Sequence, residues 1–238
     1  MISHNIYYFC MKIKDNISDE FDAFSINYTD DMIGCVPHYI NLLSCFTEEL
    51  PKKFNPTHIL DLGCGNGNVT HRLSHSFPEA SFTLLDASQE MLSLCEKRYK
   101  NLNAIYIESY FQEFEFKQDA YDMVVAGFSL HHCDSKEKKE LFQKIYKSLT
   151  KGGVFSSADL MISKSHPEHS KLVQEWKLFV NTNFPDGEKW KWIMDHYDEF
   201  DRPDHIDDQT MWLQDVGFND INSISYEKYW TYFRAIKK

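Results

Sequence analysis

Three glycines stand close together where an apolar run containing an acid ends, and this pattern can bind a nucleotide. The run THILDL covers residues 57–62, its acid is Asp61, and the glycines are Gly63, Gly65 and Gly67. The chain has nine glycines in 238 residues, so three in one loop indicate a special demand on the backbone. Glycine lets a backbone approach a ligand closely. An ordinary glycine-rich turn after a strand is the alternative interpretation.

A second acid, Asp86, ends the next apolar run, 25 residues after Asp61. A carboxylate in this position can accept hydrogen bonds from both hydroxyls of a ribose. Dinucleotide enzymes share that acid, but their fingerprint is GxGxxG, and here the third glycine comes one position early. The spacing therefore predicts a ribose-containing cofactor at the carboxyl edge of a sheet.

Short β-type runs alternate with helical stretches from about residue 57, which predicts an α/β fold with a doubly wound parallel sheet. The predicted strands are 58–62, 81–86, 104–108, 121–126 and 154–160, and the predicted helices are 68–77, 88–99 and 135–149. Ser88 and Ser135 are the expected N-caps of the last two helices. A further helix ends at Gly217, and the alternating runs 218–225 and 229–236 predict an antiparallel pair at a sheet edge.

Acidic residues outnumber basic ones and give a formal net charge of −11, which disfavours nucleic acid because phosphate binding needs clustered cations. The six cysteines contain no CxxC pair, which is typical of a reducing compartment. No apolar run reaches membrane-spanning length, and residues 1–10 lack a signal-peptide pattern. We expect a cytoplasmic protein that does not contact a membrane; a homodimer is left open.

The sequence resembles the class I S-adenosylmethionine-dependent methyltransferases through ILDLGCGNG at 59–67, LLDAS at 84–88 and LTKGGVF at 149–155. A weaker likeness runs through WLQDVGF at 212–218. The resemblance implies a Rossmann-like seven-stranded sheet with a terminal antiparallel strand. It also implies S-adenosylmethionine (SAM) as cofactor and S-adenosylhomocysteine (SAH) as product. We expect one domain over 1–238, made of a helical cap (1–56), a cofactor-binding core (57–161), a helical acceptor-side insertion (162–204) and a last helix with a strand pair (205–238).

In this family the glycine loop and its acid line the methionine moiety, and the second acid holds the ribose. The residue following the third strand is usually an acid, but here Tyr110 stands in that place, so Tyr110 or Phe111 is expected to stack on adenine. Tyr28 ends a segment (21–28) that resembles a cap helix over the cofactor, although an aromatic residue of a helix core fits equally. The implied cofactor-binding residues are Tyr28, Asp61, Gly63, Cys64, Gly65, Gly67, Asp86, Ala87, Met91, Tyr110, Phe111, Gly127 and Phe128.

The segment AGFSLHHC at 126–133 resembles the small-molecule branch of the family and also the enzymes that make or use carboxy-SAM. Methyl transfer from a sulfonium depends chiefly on placing the acceptor behind the methyl carbon. An oxygen acceptor must also lose a proton, and His132, His131 or Asp159 could accept it, because all three fall near carboxyl ends of strands. Structural roles for these residues are the alternative.

The predicted insertion is rich in aromatic residues that could line an acceptor pocket. The candidates are Trp176, Trp190, Trp192 and Tyr197, with core packing as the alternative at Trp176. A second set resembles metal ligands: His166, His169, Asp195, His196, Asp198 and Asp201. In an acidic chain such a set is more typical of a solvated face, so we expect no metal site.

A carboxy-SAM enzyme needs a partner for the additional carboxylate, and the resemblance implies an arginine in the insertion. Met194 aligns at that place, with Lys191 nearby and Arg202 further along, which favours ordinary SAM. The leading hypothesis is a methyltransferase that methylates N or O of a small metabolite. The alternatives are a carboxy-SAM synthase or tRNA-modification enzyme, and a non-catalytic SAM-binding regulatory protein.

Overall fold

The computed structural model describes residues 28–238, so the predictions for the segment before Tyr28 lie outside the described residues. The described part of the predicted cap contains α1 (Tyr28–Cys35) and α2 (Tyr39–Glu48). The other helices are α3 (Asn68–Ser76), α4 (Gln89–Arg98), α5 (Ser135–Ser148), α6 (His169–Asn183), α7 (Glu188–Phe200) and α8 (Ile206–Val216), and a 3-10 helix spans Leu130–His132. Two of these helices, α6 and α7, lie within the predicted insertion.

Within residues 28–238 the strands form a seven-stranded sheet in the order β3-β2-β1-β4-β5-β7-β6. Their bounds are β1 (His58–Leu62), β2 (Ser81–Asp86), β3 (Ala104–Glu108), β4 (Tyr121–Gly127), β5 (Leu149–Leu160), β6 (Phe218–Tyr226) and β7 (Trp230–Lys237). Neighbours from β3 to β5 pair in parallel, whereas β7 pairs antiparallel with both β5 and β6. The predicted fold class is confirmed.

Both faces of the sheet are covered by helices, which explains the apolar character of the central strands. Ile59 of β1 is buried on the face covered by α2, α3 and α6, and Leu60 is buried on the opposite face, under α5 and α8. A parallel strand that is buried on both faces reads as a continuous apolar run. For this reason β1 was recognisable from the sequence alone.

The helix starts differ from the prediction at one place. Ser88 caps α4, because its hydroxyl accepts a hydrogen bond from the Met91 N–H. The prediction for Ser135 was wrong. Asp134 caps α5 and forms a capping box with Glu137, in which each side chain accepts from the backbone of the other residue.

The carboxyl ends of the parallel strands meet at one edge of the sheet, and the chain returns to that edge after α7. There the backbone N–H of Arg202 donates a 2.6 Å hydrogen bond to the carbonyl oxygen of His131, in the 3-10 helix after β4. Open α/β sheets bind ligands at this edge. Among the described helices, none is sufficiently long and apolar to cross a membrane.

Candidate functional site

The three glycines between β1 and α3 all have backbone conformations that favour glycine. Their φ values are 69° at Gly63, 53° at Gly65 and 88° at Gly67. A Cβ at Gly63 would lie 2.5 Å from the Cβ of Ser129, so no other residue fits there without movement. The loop thus brings its backbone against the segment that follows β4.

Asp86 connects this loop to the end of β2. Its Oδ2 accepts a 2.8 Å hydrogen bond from the Gly65 N–H, and its Oδ1 accepts a 2.9 Å hydrogen bond from the Ser88 N–H. The carboxylate is only partly buried and lines a cavity. The backbone therefore orients a carboxylate toward the space where a ribose is expected.

A first cavity of about 270 Å³ lies between the glycine loop, the ends of β2 to β4 and the return after α7. The predicted residues that line it are Tyr28, Gly63, Gly65, Asp86, Ala87, Met91, Tyr110, Phe111, Phe128 and His132. The other lining residues were not among the predicted cofactor-binding or catalytic residues: Ser88, Ser109, Gln112, Ser129, Cys133, Asp134, Glu137, Glu199, Phe200 and Arg202. The cavity thus combines polar groups near Asp86 with aromatic side chains.

Four predicted cofactor residues lie behind the lining of this cavity. Asp61 and Cys64 are buried. A Cβ at Gly67 would meet Tyr99 and Cys95, and one at Gly127 would meet Val69. Asp61, Cys64, Gly67 and Gly127 therefore pack against the protein interior rather than against the cavity.

Asp61 has an unusual environment. It is 1% exposed, and its Oδ2 accepts a 2.7 Å hydrogen bond from the Thr70 hydroxyl. Its Oδ1 has no hydrogen-bond partner within residues 28–238. The pKa of Asp61 is raised to about 7. Burial is the main cause, the Thr70 hydrogen bond acts in the opposite direction, and the charge of Asp86 adds to the increase. A buried acceptor atom thus remains available beside the loop.

A second cavity of about 100 Å³ adjoins the first, and Tyr28 and Phe128 line both. Phe128 has a φ of 56°, which is uncommon for an aromatic residue. The further lining residues are Met32, Cys35, Val36, His131, Asp159, Leu160, Trp176, Trp192, Ile193, His196, Asp201, Pro203 and Trp230. Trp176 and Trp192 were predicted acceptor residues.

The other two aromatic candidates pack beside the second cavity. Trp190 and Tyr197 each meet the ring of Trp176 edge to face, with centroids 5.5 Å and 5.7 Å apart. Neither lines either cavity. The Tyr197 hydroxyl also bonds to Nε2 of His169 at 2.8 Å. The described geometry therefore places both rings in the core that supports Trp176.

Histidines and carboxylates gather where the two cavities meet. His131 Nδ1 lies 2.6 Å from Oδ1 of Asp159. Oδ1 of Asp201 lies 3.2 Å from His132 Nδ1, 3.5 Å from His196 Nε2 and 3.7 Å from His131 Nε2. The cluster brings together all three predicted catalytic residues. It also contains His196 and Asp201, which the sequence pattern assigned to a solvated face.

The cluster shifts the pKa values of its members in opposite directions. Burial alone would lower the pKa of His131, but the charges of Asp159 and Asp201 outweigh the effect of burial and raise the pKa to about 9. Burial and the charge of His131 lower the pKa of His132 to about 4. Burial would raise the pKa of Asp201, but His131 and His132 lower it to about 2. The neighbouring imidazoles therefore differ in charge at neutral pH.

Only two of the six metal-like residues belong to this cluster, His196 and Asp201. His166 stacks on His205 with centroids 5.3 Å apart, and Asp195 and Asp198 are exposed. Met194, which aligned with the expected arginine, packs against the core. Arg202 instead lines the first cavity, and its guanidinium donates to the carbonyl oxygens of Asp201 and Glu199, each at 2.7 Å.

Comparison with known proteins finds methyltransferases and carboxy-SAM synthases. A family model described as a methyltransferase domain matches residues 59–153, which contain the glycine loop and Asp86. The carboxy-SAM synthase of Helicobacter hepaticus is 28% identical over 85% of this chain and 87% of its own length. The ubiquinone/menaquinone C-methyltransferase UbiE of Wigglesworthia glossinidia brevipalpis is 31% identical over 60% of this chain and 59% of its own.

Solved structures share the fold at low identity. A SAM-dependent methyltransferase of Thermotoga maritima superposes with a TM-score of 0.63 at 14% identity, covering 93% of this chain and 99% of that one. The phosphoethanolamine N-methyltransferase 2 of Haemonchus contortus, crystallised with SAM, gives 0.58 at 16% identity, covering 85% of this chain and 52% of that one. Residues 59–153 therefore match a methyltransferase domain, and the chain has the fold of the class I SAM-dependent methyltransferases, for which SAM is the cofactor.

Proposed function

We propose that this enzyme transfers the methyl group of SAM to a nitrogen or oxygen atom of a small metabolite. The observation that carries the proposal is the pair of adjoining cavities that share Tyr28 and Phe128. The first contains the glycine loop and Asp86, and the second is lined by tryptophans and the His131–Asp159 pair. A cofactor in one and an acceptor in the other would meet at the shared residues.

The first cavity fits SAM by the chemistry of its lining. Asp86 offers a carboxylate that the Gly65 and Ser88 N–H groups already orient, which suits the two ribose hydroxyls. Ala87, Met91, Tyr110 and Phe111 supply an apolar surface for adenine. Gly63 and Gly65 allow the methionine part to approach the backbone. Asp61, Cys64, Gly67 and Gly127 support the loop from behind, with Oδ1 of Asp61 available to the amino group.

SAM supplies the electrophilic methyl group, and the chain's own residues position the acceptor and exclude water. His132 lines the first cavity, whereas His131 and Asp159 line the second. A metabolite that spans the junction would contact these imidazoles. We propose that His132 contacts the accepting atom, while Asp159 fixes the ring of His131 through the 2.6 Å bond.

The second cavity supports a small acceptor. Its volume is about 100 Å³, and the rings of Trp176, Trp192 and Trp230 bound it. Indole rings bind apolar or cationic groups of a metabolite. The net charge of −11 argues against a nucleic acid acceptor.

The proposal is tested by incubating the enzyme with methyl-labelled SAM and three acceptor preparations: a low-mass metabolite extract, total RNA and total protein. We expect the label in a low-mass product that mass spectrometry can identify. Transfer only to RNA or protein would contradict the proposal.

A second candidate function, carboxy-SAM synthesis, is supported by Arg202. A guanidinium pairs well with a carboxylate, Arg202 lines the first cavity, and the Helicobacter hepaticus relative bears that name. Mass spectrometry of a ligand that copurifies with the enzyme separates the two functions. We expect SAM or SAH; a carboxylated sulfonium would favour the second function.

A further inference from the structure

One carboxylate oxygen lies close to three imidazole nitrogens at the junction of the two cavities. The Oδ1 atom of Asp201 lies 3.2 Å from His132 Nδ1, 3.5 Å from His196 Nε2 and 3.7 Å from His131 Nε2. Ligand atoms bound to one tetrahedral ion at about 2.0–2.1 Å stand roughly 3.3 Å apart. The distances match this spacing better than the roughly 2.7–2.9 Å of a charge-assisted hydrogen bond.

The possible ligand atoms form a compact, buried group. One ligand atom from each of His131, His132 and Asp201 lies within 4.8 Å of the other two. Their side chains are 16%, 13% and 12% exposed. Two imidazoles and one carboxylate form a donor set that suits transition metals, whereas Mg²⁺ and Ca²⁺ prefer oxygen ligands.

Asp159 supplies the outer contact that metal-binding histidines usually have. Its Oδ1 bonds to Nδ1 of His131 at 2.6 Å, and its Oδ2 accepts from the His131 backbone N–H at 3.1 Å. This arrangement leaves Nε2 of His131 directed toward Asp201. A carboxylate that holds the far nitrogen orients the ring and makes the near nitrogen a better ligand.

The two halves of the group come from distant parts of the chain, and hydrogen bonds hold them together. Besides the 2.6 Å bond from the Arg202 N–H to the His131 carbonyl, Lys138 Nζ donates to the Arg202 carbonyl oxygen at 2.5 Å. Lys138 is 1% exposed and also pairs with Asp204 at 2.6 Å. The position of Asp201 relative to the histidines is thus built into the fold.

We propose that His131, His132 and Asp201 bind one divalent transition-metal ion. The ion would lie between the two cavities, because His132 lines the first and His131 lines the second. In the proposed methyl transfer, an ion here would bind the accepting atom and favour loss of its proton. The metal site itself does not depend on that reaction.

The test uses the full chain without a histidine tag, after treatment with a chelator. Calorimetry with Zn²⁺ measures affinity and stoichiometry, and visible absorption with Co²⁺ reports tetrahedral nitrogen and oxygen ligands. We expect one ion per chain. Asp201→Asn and His132→Gln should each weaken binding by more than about 100-fold, and Asp159→Asn by about 10–100-fold.

The matched control removes the exposed pair His71 and His75 on α3, whose rings lie 4.4 Å apart and could bind the added metal. Binding by His71→Gln/His75→Gln should equal that of wild type. X-ray absorption of the wild-type Co²⁺ complex counts imidazole ligands even where a cluster variant fails to fold. No bound ion in wild type, or binding that the control abolishes and Asp201→Asn retains, would overturn the proposal.

Discussion

The backbone N–H of Arg202 donates a 2.6 Å hydrogen bond to the carbonyl oxygen of His131. This bond fixes the end of α7 against the 3-10 helix after β4, although the two residues lie 71 positions apart in the chain. The neighbours of this bond, His132 and Asp201, are therefore held at the same point. The site consequently depends on the insertion as well as on the glycine loop.

His132→Gln should lower kcat by about 100-fold or more if His132 contacts the accepting atom. The affinity for SAH should change by less than about twofold, because His132 lies where the cofactor cavity meets the acceptor cavity and is proposed to contact the acceptor. Kinetics with the identified acceptor and calorimetry with SAH measure the two effects. His75→Gln, an exposed substitution on α3, is the control; equal kcat values for both variants would leave His132 a packing role.

Gly63→Ala should destabilise the protein more than Gly152→Ala. Both glycines have positive φ, 69° and 80°, so each change costs about 1–2 kcal/mol of backbone strain. Only at Gly63 would the new Cβ lie 2.5 Å from another side-chain atom, whereas nothing lies within 4 Å at Gly152. Overpacking at Gly63 should therefore lower the free energy of unfolding, measured in urea, by about 1–3 kcal/mol more. Equal losses of stability in the two variants would argue against the close contact with Ser129.

Asp61→Asn should change how the stability of the ligand-free protein depends on pH. Burial raises the pKa of Asp61 from 3.8 to about 7 in the fold, so the folded state holds this proton more tightly than the unfolded state. The contribution of this proton to the free energy of unfolding is fully present below about pH 4 and is lost as the pH rises through about 7. Ionisable groups near Asp61 include Asp86, Tyr39 and Cys64. The pKa values of Tyr39 and Cys64 are raised, so both side chains stay neutral between about pH 4 and about pH 7.

Urea unfolding at several pH values across this window tests the prediction for Asp61. The stability of wild type relative to Asp61→Asn should decrease as the pH rises. A constant difference between the two proteins would show that Asp61 ionises normally in the fold.

Arg202→Gln should separate the two candidate functions. SAM has no additional carboxylate on its transferable group, so a plain methyltransferase should bind SAM and carboxy-SAM without strong preference, before and after the change. In a carboxy-SAM synthase, wild type should prefer the carboxylated ligand by about 10-fold or more, and the variant should lose this preference. Competition calorimetry measures the ratio, with Arg72→Gln on α3 as the control.

The cofactor half of the site was predictable because its signals are local. The strands β1 and β2, the glycine loop and Asp86 follow one another within 30 residues, and β1 is buried on both faces of the sheet. Asp201 and Arg202 carry no such signal. They reach the site only through tertiary contacts, which no spacing in the sequence reveals.

The aromatic residues of the insertion show a second limit of sequence reasoning. Trp190 and Tyr197 lie on one buried face of α7, and both rings pack on Trp176. Trp192 and His196 lie on another face, stack with centroids 5.6 Å apart and line the second cavity. Helical spacing identifies such faces, but it does not show which face meets the core and which meets a cavity.

The central claim is that Asp86 holds the cofactor in the first cavity while the second cavity is left for the acceptor. Calorimetry with SAH on Asp86→Ala, Trp192→Phe and wild type tests it most directly, with Asp122→Ala as the control. Asp122, in β4, also accepts backbone hydrogen bonds, but from the Thr57 and His58 N–H groups at the start of β1. We expect Asp86→Ala to weaken SAH binding by about 10-fold or more, and Trp192→Phe and Asp122→Ala to leave it unchanged; wild-type affinity in Asp86→Ala would contradict the account.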